Sequence, residues 1–116
     1  MAQNLAGILG DLKAAAGPGV PIVGMSYYDV AAPLCVSDPS LLFVCSRFDA
    51  FNAILADTYA AAGVPVADVA GAFENNNLVN AAVHVCDWTW FCALGDVHAN
   101  TAGYGVIAQA FEQVVQ

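Results

Sequence analysis

The chain predicts an α/β fold with a short parallel sheet, on three observations. A pattern recurs: AAAGPGVPIVGM, residues 14–25, and YAAAGVPVADVA, residues 59–70, each run from a helix end through a glycine to Val-Pro and a short apolar stretch. That is the punctuation of successive αβ units, the glycine supplying the helix C-cap. The tract VPIVGMSYY, residues 20–28, is almost continuously apolar and rich in β-branched and aromatic residues, as a strand buried on both faces should be. The length of 116 residues suits one domain, 1–116, with a single core.

Each element follows in order. Leu5, Ile8, Leu9 and Leu12 lie at helical spacing, and Gly17-Pro18-Gly19 stops the pattern, so a first helix spans roughly residues 3–16. The strand at 20–28 leads into DVAAPLCVSDPS, whose two prolines and polar breaks predict a loop. A second helix runs from Leu41 through Val44, Phe48, Phe51, Leu55 and Tyr59 and ends at Gly63, with Arg47, Asp49, Asn52 and Asp57 on its polar face. A second strand is expected at 65–69. A short helix around Leu78–Val83 and then irregular chain fill the segment before the last helix, which is capped by Asn100 or Thr101 and carries Tyr104, Ile107, Ala108, Phe111 and Val115. Loops this long in a compact domain are usually functional.

Composition narrows the function. Two Lys+Arg stand against ten Asp+Glu, a formal charge of −8, so counterion release would work against nucleic-acid binding and an anionic membrane surface is equally disfavoured. Charged residues make up only 10% against 59% hydrophobic, which predicts a sticky surface. Asp11, Lys13, Arg47 and Asp49 interrupt the richest apolar segments, so no integral membrane segment is expected. The first residues, MAQNLAGILGDLK, lack a basic n-region and a cleavage site, so an export signal would lie outside this chain. Four cysteines, Cys35, Cys45, Cys86 and Cys92, form an even set that favours disulfides and a secreted or extracytoplasmic setting; their spacing does not suit a zinc site, and no metal is expected.

The chemistry concentrates in GDVHANTAGYGVIAQAF, residues 95–111, where Asp96 and His98 stand just before the last helix. Open α/β sheets place ligands at that end of the strands, a good seat for a general base. The stretch resembles the last conserved block of the SGNH, or GDSL-type, hydrolases: a catalytic His preceded by its Asp, then Asn, Gly-Tyr and an amphipathic helix. VPIVGMSYYD resembles the penultimate strand region of secreted bacterial members, and CDWTWFC, residues 86–92, their disulfide-bracketed aromatic loop. The resemblance covers most of the chain. It implies a flavodoxin-like three-layer α/β/α fold and cofactor-free hydrolysis of a small-molecule or lipid ester by a Ser nucleophile, with His98 as general base, Asp96 as its orienting acid, and Trp88, Trp90 and Phe91 in the acyl pocket. Those aromatics serve a core equally well. Local pairing, Cys35–Cys45 and Cys86–Cys92, is preferred, since each pair brackets a loop.

Two departures limit the carry-over. The family's Asp stands three residues before His, whereas that position is Gly95 here and the acid is two before. The Gly-Asp-Ser nucleophile block and the Gly and Asn of the oxyanion hole are absent. Ser26 in a strand, Ser37 and Ser40 in a loop and Ser46 in a helix lack the strand-to-helix elbow of a nucleophile. The expected enzyme is therefore the C-terminal portion of such a hydrolase, its Ser supplied by an N-terminal portion or partner. The alternative is a non-catalytic truncated relative acting in binding or assembly. Two strands under three apolar-striped helices leave surface uncovered, which predicts a homo-oligomer or association with an N-terminal portion. Asp29 opens a turn or faces the cleft, Tyr104 packs its helix, and Asn75–Asn77 form a turn.

Overall fold

A computed structural model describes residues 1–115. Its elements in order are α1 (Ala2–Ala16), β1 (Gly24–Met25), α2 (Ala32–Ser37), a 3₁₀ turn (Pro39–Leu41), α3 (Leu42–Ala61), β2 (Val66–Ala67), α4 (Val69–Ala72), α5 (Leu78–Trp88), α6 (Phe91–Leu94) and α7 (Thr101–Glu112). Strands β1 and β2 pair in parallel, Gly24 with Val66 and Met25 with Ala67. The expected three-layer flavodoxin-like α/β/α fold is thereby overturned: among the described residues the chain is mostly helix, with one sheet of two short strands. The repeated αβ punctuation does bring two parallel strands together. What fails is their length, because a strand exists only where a neighbour pairs with it.

The ends of both strands have visible causes. Beyond Met25, the Tyr27 N–H donates to Asn52 Oδ1 at 2.8 Å and the Tyr27 carbonyl accepts from Asn52 Nδ2 at 2.8 Å, so a side-chain amide from α3 occupies the groups that a strand would have used. Beyond Ala67, Asp68 accepts from the Gly71 N–H and caps α4. The expected loop at 29–40 is instead largely helical. Asp29 Oδ1 accepts from the Ala31 N–H, and Pro33 stands in the first turn of α2, where its missing N–H costs nothing. Pro39 plays the same part in the 3₁₀ turn. The helix expected at Leu78–Val83 is capped by Asn77, which accepts from Asn80, and continues to Trp88.

Ala67, Val69, Phe73, Val85 and Ala110 form the main core, so β2, α4, α5 and α7 meet around Phe73. A second cluster of Ala31, Cys35 and Cys45 lies under Val44 and Phe48, joining α2 to α3 through the Cys35–Cys45 disulfide. Helix α1 packs on α3, burying Leu9, while Lys13 donates to the Ala62 carbonyl at the end of α3. The extents of 46 × 28 × 22 Å give a radius of gyration of 15.3 Å, against about 13 Å for a compact domain of this length. Much apolar surface accordingly stays uncovered, including Ile8 and Leu12 on α1 and Phe43 on α3.

The stretch Pro39–Ala61 reaches the length and mean hydropathy (1.2) of a membrane-crossing helix. This departs from the expectation that charges interrupt every such segment: Arg47 and Asp49 are too few to lower the average. The helix also carries a disulfide and the Asn52 bonds to Tyr27, which tie it to the rest of the fold.

Candidate functional site

The site is the turn between α6 and α7. Gly95, at φ 69°, ends α6 in the left-handed region that a glycine enters without strain. Asp96 then folds back on His98: its Oδ1 accepts from the His98 backbone N–H at 2.9 Å and stands 2.5 Å from the ring Nδ1. The chain on either side is held. The Tyr28 hydroxyl donates to the Val97 carbonyl at 2.6 Å, the Trp90 N–H donates to the His98 carbonyl at 3.0 Å, and Thr89 and Ala99 form an antiparallel bridge. Asn100 completes the frame: its N–H donates to the Trp88 carbonyl, its Nδ2 to the Asp87 carbonyl, and its Oδ1 caps α7 through the Gly103 N–H.

The His98 side chain is 72% exposed and Asp96 48%. The His98 backbone N–H, and then the ring, hold the Asp96 carboxyl below its ordinary range, so it is the ionised acceptor of the pair. An ionised Asp at Nδ1 makes that nitrogen the donor and, in the neutral ring, leaves the lone pair on Nε2. Asp96, two residues before His98, therefore contacts both its backbone N–H and its ring Nδ1.

The serines do not complete this pair. Ser26 Oγ donates to Asp68 and accepts from the Ala70 N–H, Ser37 bonds Pro33, Ser40 bonds Asp38, and Ser46 bonds Phe43. Each hydroxyl has a local partner, and none of these is His98. Ser37 and Ser40 belong to α2 and the 3₁₀ turn, not to a loop.

The three aromatic residues separate. Trp88 ends α5, partly buried, with its ring edge-on to Phe73 (centroids 5.1 Å) and stacked on His84 (4.1 Å). Phe91 packs against the main core, while Trp90 is exposed. Trp88 lines a cleft of about 500 Å³ with Asp68, Val106 and Gln109, to which Trp90 and Phe91 do not contribute. Tyr104, expected to pack, is exposed on α7.

Both disulfides have the local pairing, Cys35–Cys45 and Cys86–Cys92, and are compatible with an extracellular location. The second ties the end of α5 to α6 across Thr89 and Trp90, the residues that hold the His98 turn. Replacing Cys86 and Cys92 together by Ser should cost about 2 kcal/mol of stability by the loop-entropy relation. Amide exchange should show loss of protection at Trp90, whose N–H binds the His98 carbonyl; unchanged protection would mean that the turn holds without the crosslink.

Of two further groups, the Glu74–His84 pair had no sequence signal, because its partners come together only through the turn at 74–77, whereas Asp29 was expected to open a turn or face the cleft. Glu74, a non-glycine residue at φ 56°, places Oε2 2.6 Å from His84 Nε2 while Asn80 donates to its Oε1. These bonds, His84 first, hold the Glu74 carboxyl below its ordinary range. Asp29 is buried four residues beyond β1, and its N–H donates to Asn75 Oδ1. It opens the turn into α2 and also borders a cleft of about 220 Å³ shared with Ser46, Asp49 and Asn75. Burial raises its carboxyl from 3.8 to about 6, with the Asp49 charge adding and the Ala31 N–H opposing.

A raised acid binds its proton more tightly in the folded chain, so this contribution to stability is full below pH 4, declines up to pH 6 and stays low above. Asp29→Asn keeps an acceptor for Ala31 without the charge. It should stabilise the chain by about 1–2 kcal/mol at pH 7.5 and not at pH 3.5, read from urea midpoints. Equal effects at both pH values would refute the assignment.

No family model, curated protein or solved structure matches the chain. The class of chemistry therefore rests on the site itself: an exposed imidazole oriented by a carboxylate, on a turn braced from both sides.

Proposed function

We propose that this chain is the C-terminal portion of a secreted or extracytoplasmic carboxylic ester hydrolase of the SGNH type, in which His98 is the general base and Asp96 its orienting acid. The observation that carries the reading is the 2.5 Å approach of His98 Nδ1 to Asp96, with the rest of the ring accessible. In the reaction, Nε2 takes the proton of a serine hydroxyl as that oxygen attacks the ester carbonyl and returns it to the departing alcohol, then takes a proton from the water that attacks the acyl-serine and returns it to the serine oxygen as the acid leaves. Asp96 stabilises the imidazolium between each pair of transfers. The serine comes from an N-terminal portion or a partner, and the substrate is a small-molecule or lipid ester. Two disulfides support the extracytoplasmic setting.

The test joins the chain to the segment encoded upstream of it and follows hydrolysis of a short-chain nitrophenyl ester, with and without His98→Ala. Turnover that depends on His98 supports the reading. Turnover indifferent to His98 removes it from the chemistry.

A second reading, a non-catalytic module for binding or assembly, is favoured by the uncovered apolar side chains of α1 and α3. It predicts association without hydrolysis, read by light scattering at micromolar concentration.

A further inference from the structure

Resting on that reading of His98 and Asp96, we infer that Tyr28 is a positioning residue of the pair, acting through the single peptide unit between Val97 and His98. The carbonyl of that unit accepts from the Tyr28 hydroxyl at 2.6 Å, and its N–H donates to Asp96 Oδ1 at 2.9 Å. A peptide unit is planar, so fixing the direction of the carbonyl fixes the direction of the N–H. The oxygen that receives this N–H is the one that faces the His98 ring Nδ1. Tyr28 therefore sets where the carboxylate sits relative to the imidazole without touching either. The bonds also run in series, hydroxyl to carbonyl and N–H to carboxylate, so each polarises the next.

Tyr28 is well built for this. Its ring stacks on Phe73 at 4.4 Å and 16°, and Phe73 is fully buried at the centre of the core. The hydroxyl is thus referenced to the most rigid part of the molecule, whereas Asp96, Val97 and His98 are all exposed. Burial, with smaller contributions from Tyr104, Tyr27 and Asp96, pushes the phenol above its ordinary value, so it remains a donor throughout the range in which an imidazole base works. Loss of the hydroxyl would leave the aromatic stack in place and free one peptide plane.

The experiment is Tyr28→Phe in the 116-residue chain, labelled with ¹⁵N on histidine. The ring nitrogens of His98 report the tautomer directly, independently of any ester substrate. The expected result is a fall of at least twofold in the ratio of the Nδ1–H to the Nε2–H form of neutral His98. His84, held by Glu74, should be unchanged. A folded variant with the His98 ratio unaltered would overturn the assignment. Should the variant not fold, 3-fluorotyrosine placed at position 28 gives the same readout: its more acidic phenol loses the donor at lower pH, and the ratio must follow that ionisation or the proposal fails. In the joined enzyme, Tyr28→Phe should lower kcat about tenfold with KM unchanged. A tautomer change without His98-dependent turnover would retain the positioning role and reject the hydrolase reading, so the two failures are distinct.

Discussion

On the proposed hydrolase reading, His98→Ala should lower kcat for ester hydrolysis by about 10⁴-fold in the joined enzyme, with Asp96→Asn costing less. The difference comes from the structure of the turn. On that reading, removing the imidazole deletes the group that accepts the serine proton, and a weakly acidic hydroxyl is a poor nucleophile unaided. Removing the Asp96 charge deletes less, because asparagine still presents an oxygen to Nδ1 and to the His98 N–H. The backbone of the turn would also keep its bonds to Tyr28 and Trp90. Asp96 is half exposed, so water screens its attraction for the imidazolium. Steady-state rates on a short-chain nitrophenyl ester check this. Equal losses in the two variants would make the carboxylate indispensable, and full activity of Asp96→Asn would remove it from the site.

Gly103→Ala should cost about 3 kcal/mol or more of stability. A Cβ there would lie 2.0 Å from the Trp88 carbonyl oxygen and 3.0 Å from the Ala99 Cβ. The first neighbour is backbone, and it is already committed: the same oxygen accepts the Asn100 N–H. No side-chain rotation relieves the overlap, so α7 must lift from the end of α5. Because the His98 turn is pinned to the end of α5 and leads into α7, the variant should lose the Thr89–Ala99 bridge along with stability. Chemical denaturation gives the magnitude, and a cost below about 1 kcal/mol would show that the helices shift freely. Gly105, on the same helix, meets nothing within 4 Å and serves as the control.

The two glycines illustrate what a sequence can carry. A helix with Gly at both positions reads as permissive, and only the approach of α5 distinguishes them. Helices α1, α3 and α7 were legible because apolar spacing and flanking glycines are local properties. The parallel pairing was legible too, since the same Gly-Val-Pro punctuation precedes both strands. Strand length was not. Apolar composition marks 20–28 as strand-like throughout, yet Asn52, distant in sequence, takes the hydrogen bonds of Tyr27 and closes the ladder. Likewise Pro33 reads as a breaker, whereas in the first turn of α2 it is a starter.

The Asp96–His98 pair stood out because two residues apart on a turn is a local arrangement. Tyr28 did not, since nothing in VPIVGMSYYD says which of its tyrosines reaches Val97. The aromatic loop misled for a related reason: Trp88, Trp90 and Phe91 are close in sequence, but the end of α5 falls between them and sends them in different directions. Proximity along a chain implies a shared pocket only when the backbone keeps one course.

The crosslinks impose an order on biosynthesis. Their cysteines are separated by 10 and 6 residues, and loops of that size close in roughly 10–100 ns, far ahead of chain elongation at about 5–20 residues per second. The Cys35–Cys45 ring can be oxidised before β2 has been made, and the Cys86–Cys92 ring before α7 has found α5. Correct pairing therefore requires no memory of the finished tertiary fold, and the later arrivals are recruited by packing alone. A chain translocated in an extended state, N-terminus first, would receive its Cys35–Cys45 ring while the His98 turn was still on the far side of the membrane.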